Sequence, residues 1–229
     1  MVRPYWSQIR LLPDILDGNP FHEESTEIAK KAGVDFIVNV TINKDKQVTG
    51  VFSGDLVGAH RQGAEFCLQS SRVNIDREAD IVVTTGGGLP LDVNVYQAVK
   101  GMVGCLPAVK SGGMIIIAAE CNQDIGSQEF EELLEAEKDL EKFMDRICNT
   151  DYFKIDQWEL EELVKARRKA DIYLYSHCVS GCNKNIPQQT LKLVDSVSEA
   201  LDIGFSRYGE DAKVTVIPEG PYVMPFLDQ

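Results

Sequence analysis

The stretch "TTGGGLPLDVNVYQAVKG", residues 84–101, gathers several chemically useful side chains in one short span. Gly86, Gly87 and Gly88 follow directly on an apolar run. Glycines at such a place let backbone N–H groups approach a phosphate or carboxylate, and a following helix adds its positive N-terminus. The same residues also suit a plain strand-to-helix turn with no ligand. They do not form the dinucleotide fingerprint G-x-G-x-x-G, because Leu91 stands where the third glycine belongs. Downstream, Gln97 and Lys100 are spaced i, i+3 and can reach one object from one helix face. An amide beside an ammonium suits a carboxylate or phosphate, and Tyr96 lies at the border of that face. An exposed Gln and Lys on a solvated surface is the plainer alternative.

A second group is weaker. "SHCVSGCNKN" holds His177, Cys178 and Cys182, which could begin a metal site, but no further ligand pair accompanies them. The other histidines, His22 and His60, sit in helix-like segments.

These residues need elements to hold them. "DIVVTT" (80–85), "GGMIIIAA" (112–119), "DIYLYS" (171–176) and "AKVTVIPEG" read as four strands. The first three are continuous apolar runs of the kind that suit a parallel sheet covered on both faces. Between them the pattern predicts helices from the glycines to about Leu106, over about 127–147, over 156–170 and over "PQQTLKLVDSVSEALDIG". The fold class is therefore α/β, a Rossmann-like doubly wound, mostly parallel sheet over residues 78–229. Residues 1–77 read as an N-terminal linking layer of helix, two strands and helix.

In the helix after the glycines, Val95, Ala98, Val99 and Met102 fall on a core side. Gln97, Lys100, Gly101 and Gly104 fall on the other. Two glycines on a helix flank cost roughly 1 kcal/mol each against alanine, so that flank suits close approach by another backbone or a ligand. Asp92 reads as the cap of a helix beginning at Val93.

Composition narrows the partners. The 229-residue chain is 44% hydrophobic with a formal charge of −13, which argues against nucleic-acid binding. No apolar run is long enough for a membrane helix, and the first residues lack the apolar block of a signal peptide. Six dispersed cysteines read as reduced thiols of a cytoplasmic protein.

The blocks "DGNPFHEE", "GVDFIVNV", "GDLVGAHRQG", "GGGLPLDVNVYQAVKG", "VKSGGMIIIAAEC" and "VIPEGPYVMP", in this order, resemble the C-terminal portion of the nickel-dependent lactate racemase family. The resemblance covers nearly all of this chain and about the last half of a full-length member. It implies an isomerase acting on a small 2-hydroxy acid with a nickel pincer nucleotide as cofactor. Hydride passes to that cofactor's pyridinium ring and returns to either face of the 2-oxo acid. It also implies that Tyr96, Gln97 and Lys100 hold substrate or cofactor at an interdomain cleft.

The family's cofactor-tethering lysine, its nickel histidine and its acid–base histidines lie upstream of the matched portion. No catalytic or metal-ligating residue is therefore assigned in this chain. The expectation is a racemase or epimerase domain that is inactive without its N-terminal domain, which is either separately encoded or lost by gene truncation. The alternatives are a non-catalytic anion- or nucleotide-binding module built on Gly86, Gly87, Gly88 and Lys100, and a remnant whose Cys/His cluster takes up metal adventitiously.

Overall fold

The computed structural model describes residues 15–43, 45–179 and 186–228. They fall into two compact units, one ending at Arg72 and the other beginning at Val73.

The first unit runs α1 (Pro20–Lys31), β1 (Ile37–Ile42), β2 (Val48–Gly54) and α2 (Leu56–Ser71). Short polar residues start both helices. Asn19 caps α1 with Pro20 in the first turn, and Asp55 caps α2 by accepting from the N–H groups of Val57 and Gly58. Gly33, at φ +77°, takes the left-handed conformation just past the end of α1. The strands form an antiparallel hairpin with Val40 opposite Val51.

The second unit opens with β3 (Arg72–Ile75) and β4 (Ala79–Thr85), followed by α3 (Val95–Gly104) and β5 (Val109–Ala118). Next come α4 (Gln128–Ala136), α5 (Leu140–Asn149), α6 (Gln157–Lys169), β6 (Ala170–Tyr175) and β7 (Lys192–Val194). It closes with α7 (Val197–Tyr208), β8 (Val214–Ile217) and β9 (Met224–Leu227). Five strands make one sheet in the order β7-β6-β5-β4-β8, and each neighbouring pair is parallel. The α/β parallel-sheet class expected from the apolar strand runs is therefore present. Side chains alternate across β5: Ile117 joins the core under α3, α4, α5 and α6, while Met114 and Ile116 pack with Ala200 of α7 on the other face.

Two elements differ from the sequence pattern. The segment expected to be one helix before residue 204 contains β7 first. Ser196 then accepts from the Glu199 N–H while the Glu199 carboxylate accepts from the Asp195 N–H, and this reciprocal cap sets a new helix start. The long charged helix expected over 127–147 is two helices. Glu137 turns inward to Arg146 and to the Tyr152 hydroxyl, and Asp139 caps α5.

Candidate functional site

In the large sheet β5, β6 and β7 lie to one side of β4, and β8 lies to the other. The chain thus reverses its winding between β4 and β8, the place where open α/β sheets bind ligands. The carboxyl ends are tied there, because the Thr85 hydroxyl donates to the Pro218 carbonyl at 2.9 Å and accepts from the Gly87 N–H at 3.2 Å. A cleft of about 480 Å³ opens at these ends, lined by Thr85, Gly87, Gly88, Asp92, Glu120 and His177 among others.

The three glycines do different things. Gly87 and Gly88 face the cleft with φ of +87° and +73°. A Cβ on Gly87 would stand 2.7 Å from Pro221. The Gly86 N–H is spent on the Ala118 carbonyl at 2.9 Å, and a Cβ there would meet Asp92 at 2.5 Å. The lining carries the acidic side chains of Asp92 and Glu120 and neither lysine nor arginine. Lys100, Gln97 and Tyr96 are not among its lining residues. Gly101, the residue after Lys100, lies against the Thr85 carbonyl at the edge of this cleft.

Asp92 does not cap α3. Asn94 does, accepting from the Gln97 N–H at 2.9 Å. Asp92 is instead buried, and its carboxylate accepts from the Glu120 N–H at 3.1 Å. This bond locks the loop after β4 to the end of β5.

On α3 the expected core side is correct: Val95, Ala98, Val99 and Met102 are fully buried. Gly101 corrects the other side, because it is buried too. A Cβ there would stand 2.5 Å from the Thr85 carbonyl oxygen, so the bare flank admits backbone. Lys100 and Gln97 remain at the surface, with the Lys100 ammonium donating to the Gln97 amide oxygen at 2.5 Å. Tyr96 is half-buried and meets the rings of Phe130 and Trp158 edge-on, with centroids 5.2 Å and 5.6 Å away. Its hydroxyl points to Asp156 at 3.5 Å, and burial, with Asp156 and Glu159 adding to it, pushes its pKa up to about 12. The phenol therefore stays protonated.

Sequence reading missed α6's contribution beside α3. Trp158 is half exposed next to Tyr96. Glu159 is 1% exposed, and neither carboxylate oxygen has a partner among the described residues. Burial pushes its pKa up to about 7, and the nearby Lys100 charge opposes that rise. One signal was available: Glu159 stands four residues before Leu163, on the apolar stripe of α6.

His22 and His60 stack with ring centroids 4.9 Å apart in the first unit, and His177 lines the cleft in the second. Cys182 lies outside the described residues, so the expected grouping of His177, Cys178 and Cys182 falls partly outside them. Among the described residues no group of three or more His, Cys, Asp or Glu side chains is arranged to hold a metal ion.

Residues 75–224 match the family model described as the lactate racemase C-terminal domain. The chain belongs to the lactate racemase family. It is 35% identical over 212 residues to the lactate racemase of Thermoanaerobacterium thermosaccharolyticum, covering 92% of this chain and 49% of that protein. It is 34% identical over 204 residues to the lactate racemase of Lactiplantibacillus plantarum, covering 88% of this chain and 47% of the other. The chain thus spans about half the length of the curated relatives it matches. The solved lactate racemase apoprotein of T. thermosaccharolyticum superposes with a TM-score of 0.83 at 34% identity, over 94% of this chain and 51% of that one. A Thermotoga maritima protein of 14% identity shares the fold, with a TM-score of 0.58 over 92% of this chain and 54% of its own. The resemblance read from the separated sequence blocks is borne out. No helix among the described residues is long and apolar enough to cross a membrane.

Proposed function

We propose that this chain supplies the C-terminal portion of a nickel-dependent 2-hydroxy-acid racemase or epimerase. In this reading Tyr96, Gln97 and Lys100 hold the substrate or cofactor, and an N-terminal domain brings the remaining chemistry. The observation that carries the reading is the Lys100–Gln97 pair, an ammonium and an amide bonded to each other at the surface of α3.

That pair fits the anionic part of either molecule. Lys100 can give a charge-assisted bond to the carboxylate of a 2-hydroxy acid or to the phosphate of a nucleotide. Gln97 has two amide donors of its own to add beside it. Tyr96, held protonated, can donate but not accept a proton at neutral pH. Glu159, buried beneath them, keeps a negative or neutral group near Lys100 according to pH. The pincer nucleotide, when bound, supplies the hydride acceptor. By the family resemblance, the histidine that ligates its nickel lies upstream of the matched portion.

Cys67, Cys105, Cys121 and Cys148 are free thiols, which suits a reducing compartment and supports a cytoplasmic placement. An anion- or nucleotide-binding module at the glycine turn is the weaker reading, because Asp92 and Glu120 line that cleft and repel anions.

A chimera tests the proposal. The matching half of the T. thermosaccharolyticum lactate racemase is replaced by this chain, and interconversion of D- and L-lactate and of other 2-hydroxy acids is followed by chiral chromatography. Activity that falls on Lys100→Ala supports the reading. A folded, nickel-loaded chimera that is inert toward every 2-hydroxy acid overturns it.

A further inference from the structure

Glu159 occupies a position where an apolar residue would fit. It lies in the first turn of α6, and Leu160, Leu163, Val164 and Ala166 of the same helix are buried with it. α3 and α4 both pack on α6, and α4 brings Phe130, Leu133 and Leu134 to the shared core. Glu159 is 1% exposed, and both its carboxylate oxygens lack a hydrogen-bond partner among the described residues. A carboxyl so placed is far less costly as the neutral acid than as the anion.

The charged groups around it divide by helix. Asp156 and Glu162, at the start of α6, both disfavour a charge on Glu159. Asp156 has its own partners in the Ser127 and Tyr96 hydroxyls, and Glu162 has the Lys165 ammonium at 2.6 Å. On α3, Tyr96 stays a protonated phenol and neither gives nor takes a proton near neutrality. Lys100 supplies the charge that favours the Glu159 anion, and it does so from the surface while donating to Gln97. The Glu159 anion therefore leans on the same ammonium that is the grip for a ligand.

An anion on Lys100 changes this balance twice. It cancels the ammonium's field at Glu159, and it adds a negative charge of its own close by. Both changes disfavour the Glu159 anion. We propose that Glu159 takes up a proton when a carboxylate or phosphate group settles on Lys100, so that the site receives the elements of the undissociated acid. The inference rests on the proposed function for the choice of Lys100 as the anchor. Glu159 acts through Lys100 and touches no substrate, which makes it a positioning residue.

The sign of the pH dependence follows. In the free protein Glu159 titrates at about pH 7. In the occupied site it stays protonated to higher pH. Between those two points binding draws a proton from solvent, and affinity falls by up to about tenfold per pH unit. Below both points Glu159 is already neutral and adds no pH dependence.

One test needs no ligand. The full chain is isotope-labelled at its glutamate carboxyl carbons, and the Glu159 resonance, assigned with Glu159→Gln, is followed by NMR across pH. Lys100→Ala removes the charge that a bound anion would cancel, so it should raise the Glu159 midpoint. An unmoved midpoint overturns the proposal.

A second test uses the chimera. Binding of racemic lactate is measured by isothermal titration just above neutral pH, in buffers of different ionisation heat. The slope of binding heat against buffer heat gives the protons taken up per lactate. The N-terminal half brings titrating groups of its own, so the reading is the difference between the parent and Glu159→Gln. The parent should take up a fraction of a proton that the variant does not, and its affinity should fall more steeply with rising pH. Equal uptake in the two proteins overturns the proposal, and where both still racemise lactate the functional reading survives it. A folded, nickel-loaded chimera that binds no 2-hydroxy acid removes the functional reading and the proposal together.

Discussion

Lys100 donates to the amide oxygen of Gln97 at 2.5 Å, one turn back on α3, while Val99 between them is fully buried. One helix therefore presents a polar grip outward and a packing residue inward at adjacent positions.

In the chimera, Lys100→Ala should weaken 2-hydroxy-acid binding or turnover by about 1.5–3 kcal/mol, roughly ten- to hundredfold, through loss of a charge-assisted bond. Gln97→Ala should cost about 1 kcal/mol, a neutral bond's worth. Neither should move the melting temperature much, because both sit at the surface. Val99→Ala should do the reverse, destabilising by about 1–3 kcal/mol with affinity intact. Isothermal titration and thermal melts on the three variants decide it. A Lys100→Ala protein that melts early and binds normally would show the pair to be structural.

Glu159 should make stability depend on pH near neutrality. Burial raises its folded pKa to about 7 from an ordinary glutamate value near 4.5, so the folded state binds the proton more tightly. Its neutral form favours folding below the ordinary value, and that contribution is lost as pH rises through about 7. Glu159→Gln should therefore gain stability over the parent between about pH 5 and pH 8, by up to about 3 kcal/mol. Denaturant melts across that range test this. Lys100→Ala should shift the window upward, because the Lys100 charge holds the Glu159 pKa down. A Glu159→Gln advantage that stays flat with pH contradicts the assignment.

Asp171 should behave in the opposite sense. Burial pushes its carboxyl up, but Arg167 and Arg207 hydrogen-bond to it, Lys192 stands near, and its pKa falls to about 2. The stability it contributes is present above the ordinary aspartate value and disappears as pH falls through about 2. Asp171→Asn should cost about 1–2 kcal/mol at neutral pH, and the difference should vanish at the acid end. Melting curves of both proteins from neutral to strongly acid pH give the answer. A gap that persists in acid would mean that lost packing, not charge, is responsible.

Gly101→Ala should be costly for its size. The added methyl would stand 2.5 Å from the Thr85 carbonyl oxygen, and a carbonyl in a paired strand cannot move aside cheaply. A loss of about 1–3 kcal/mol is expected from such overpacking. Gly104→Ala is the comparison, since its Cβ would come no nearer than 3.8 Å to the Gly220 carbonyl oxygen. Equal melting temperatures for the two variants would mean that α3 does not press on β4.

The strand runs of the large sheet were readable because β4, β5 and β6 are apolar on both faces and need no partner to be recognised. The core side of α3 was readable from its spacing. β7 was not, because its three residues carry too little pattern against the helical propensity of the adjoining α7. The break between α4 and α5 was hidden because Glu137 looks like a solvated helix residue until Arg146 and Tyr152 are placed around it. Within the candidate site, residue types marked Lys100 and Gln97. Spacing did not show that the cleft beside Gly87 and Gly88 is lined by Asp92 and Glu120, because Glu120 arrives from another strand. Asp92 was misread as a cap because its burial depends on the Glu120 backbone arriving from another strand.

The smallest sheet has a consequence of its own. β9 lies beside β3, and the Asp228 N–H reaches the Ile75 carbonyl at 2.9 Å. The opening and closing strands of the second unit are therefore buckled to one another. A pull on either end meets the same clasp before it reaches the large sheet, so that sheet is shielded from fraying at both ends at once. Cutting the chain at Met224 would undo the buckle and release β3 along with β9. Joining the two ends and opening the ring at a surface turn would leave every strand its present neighbour.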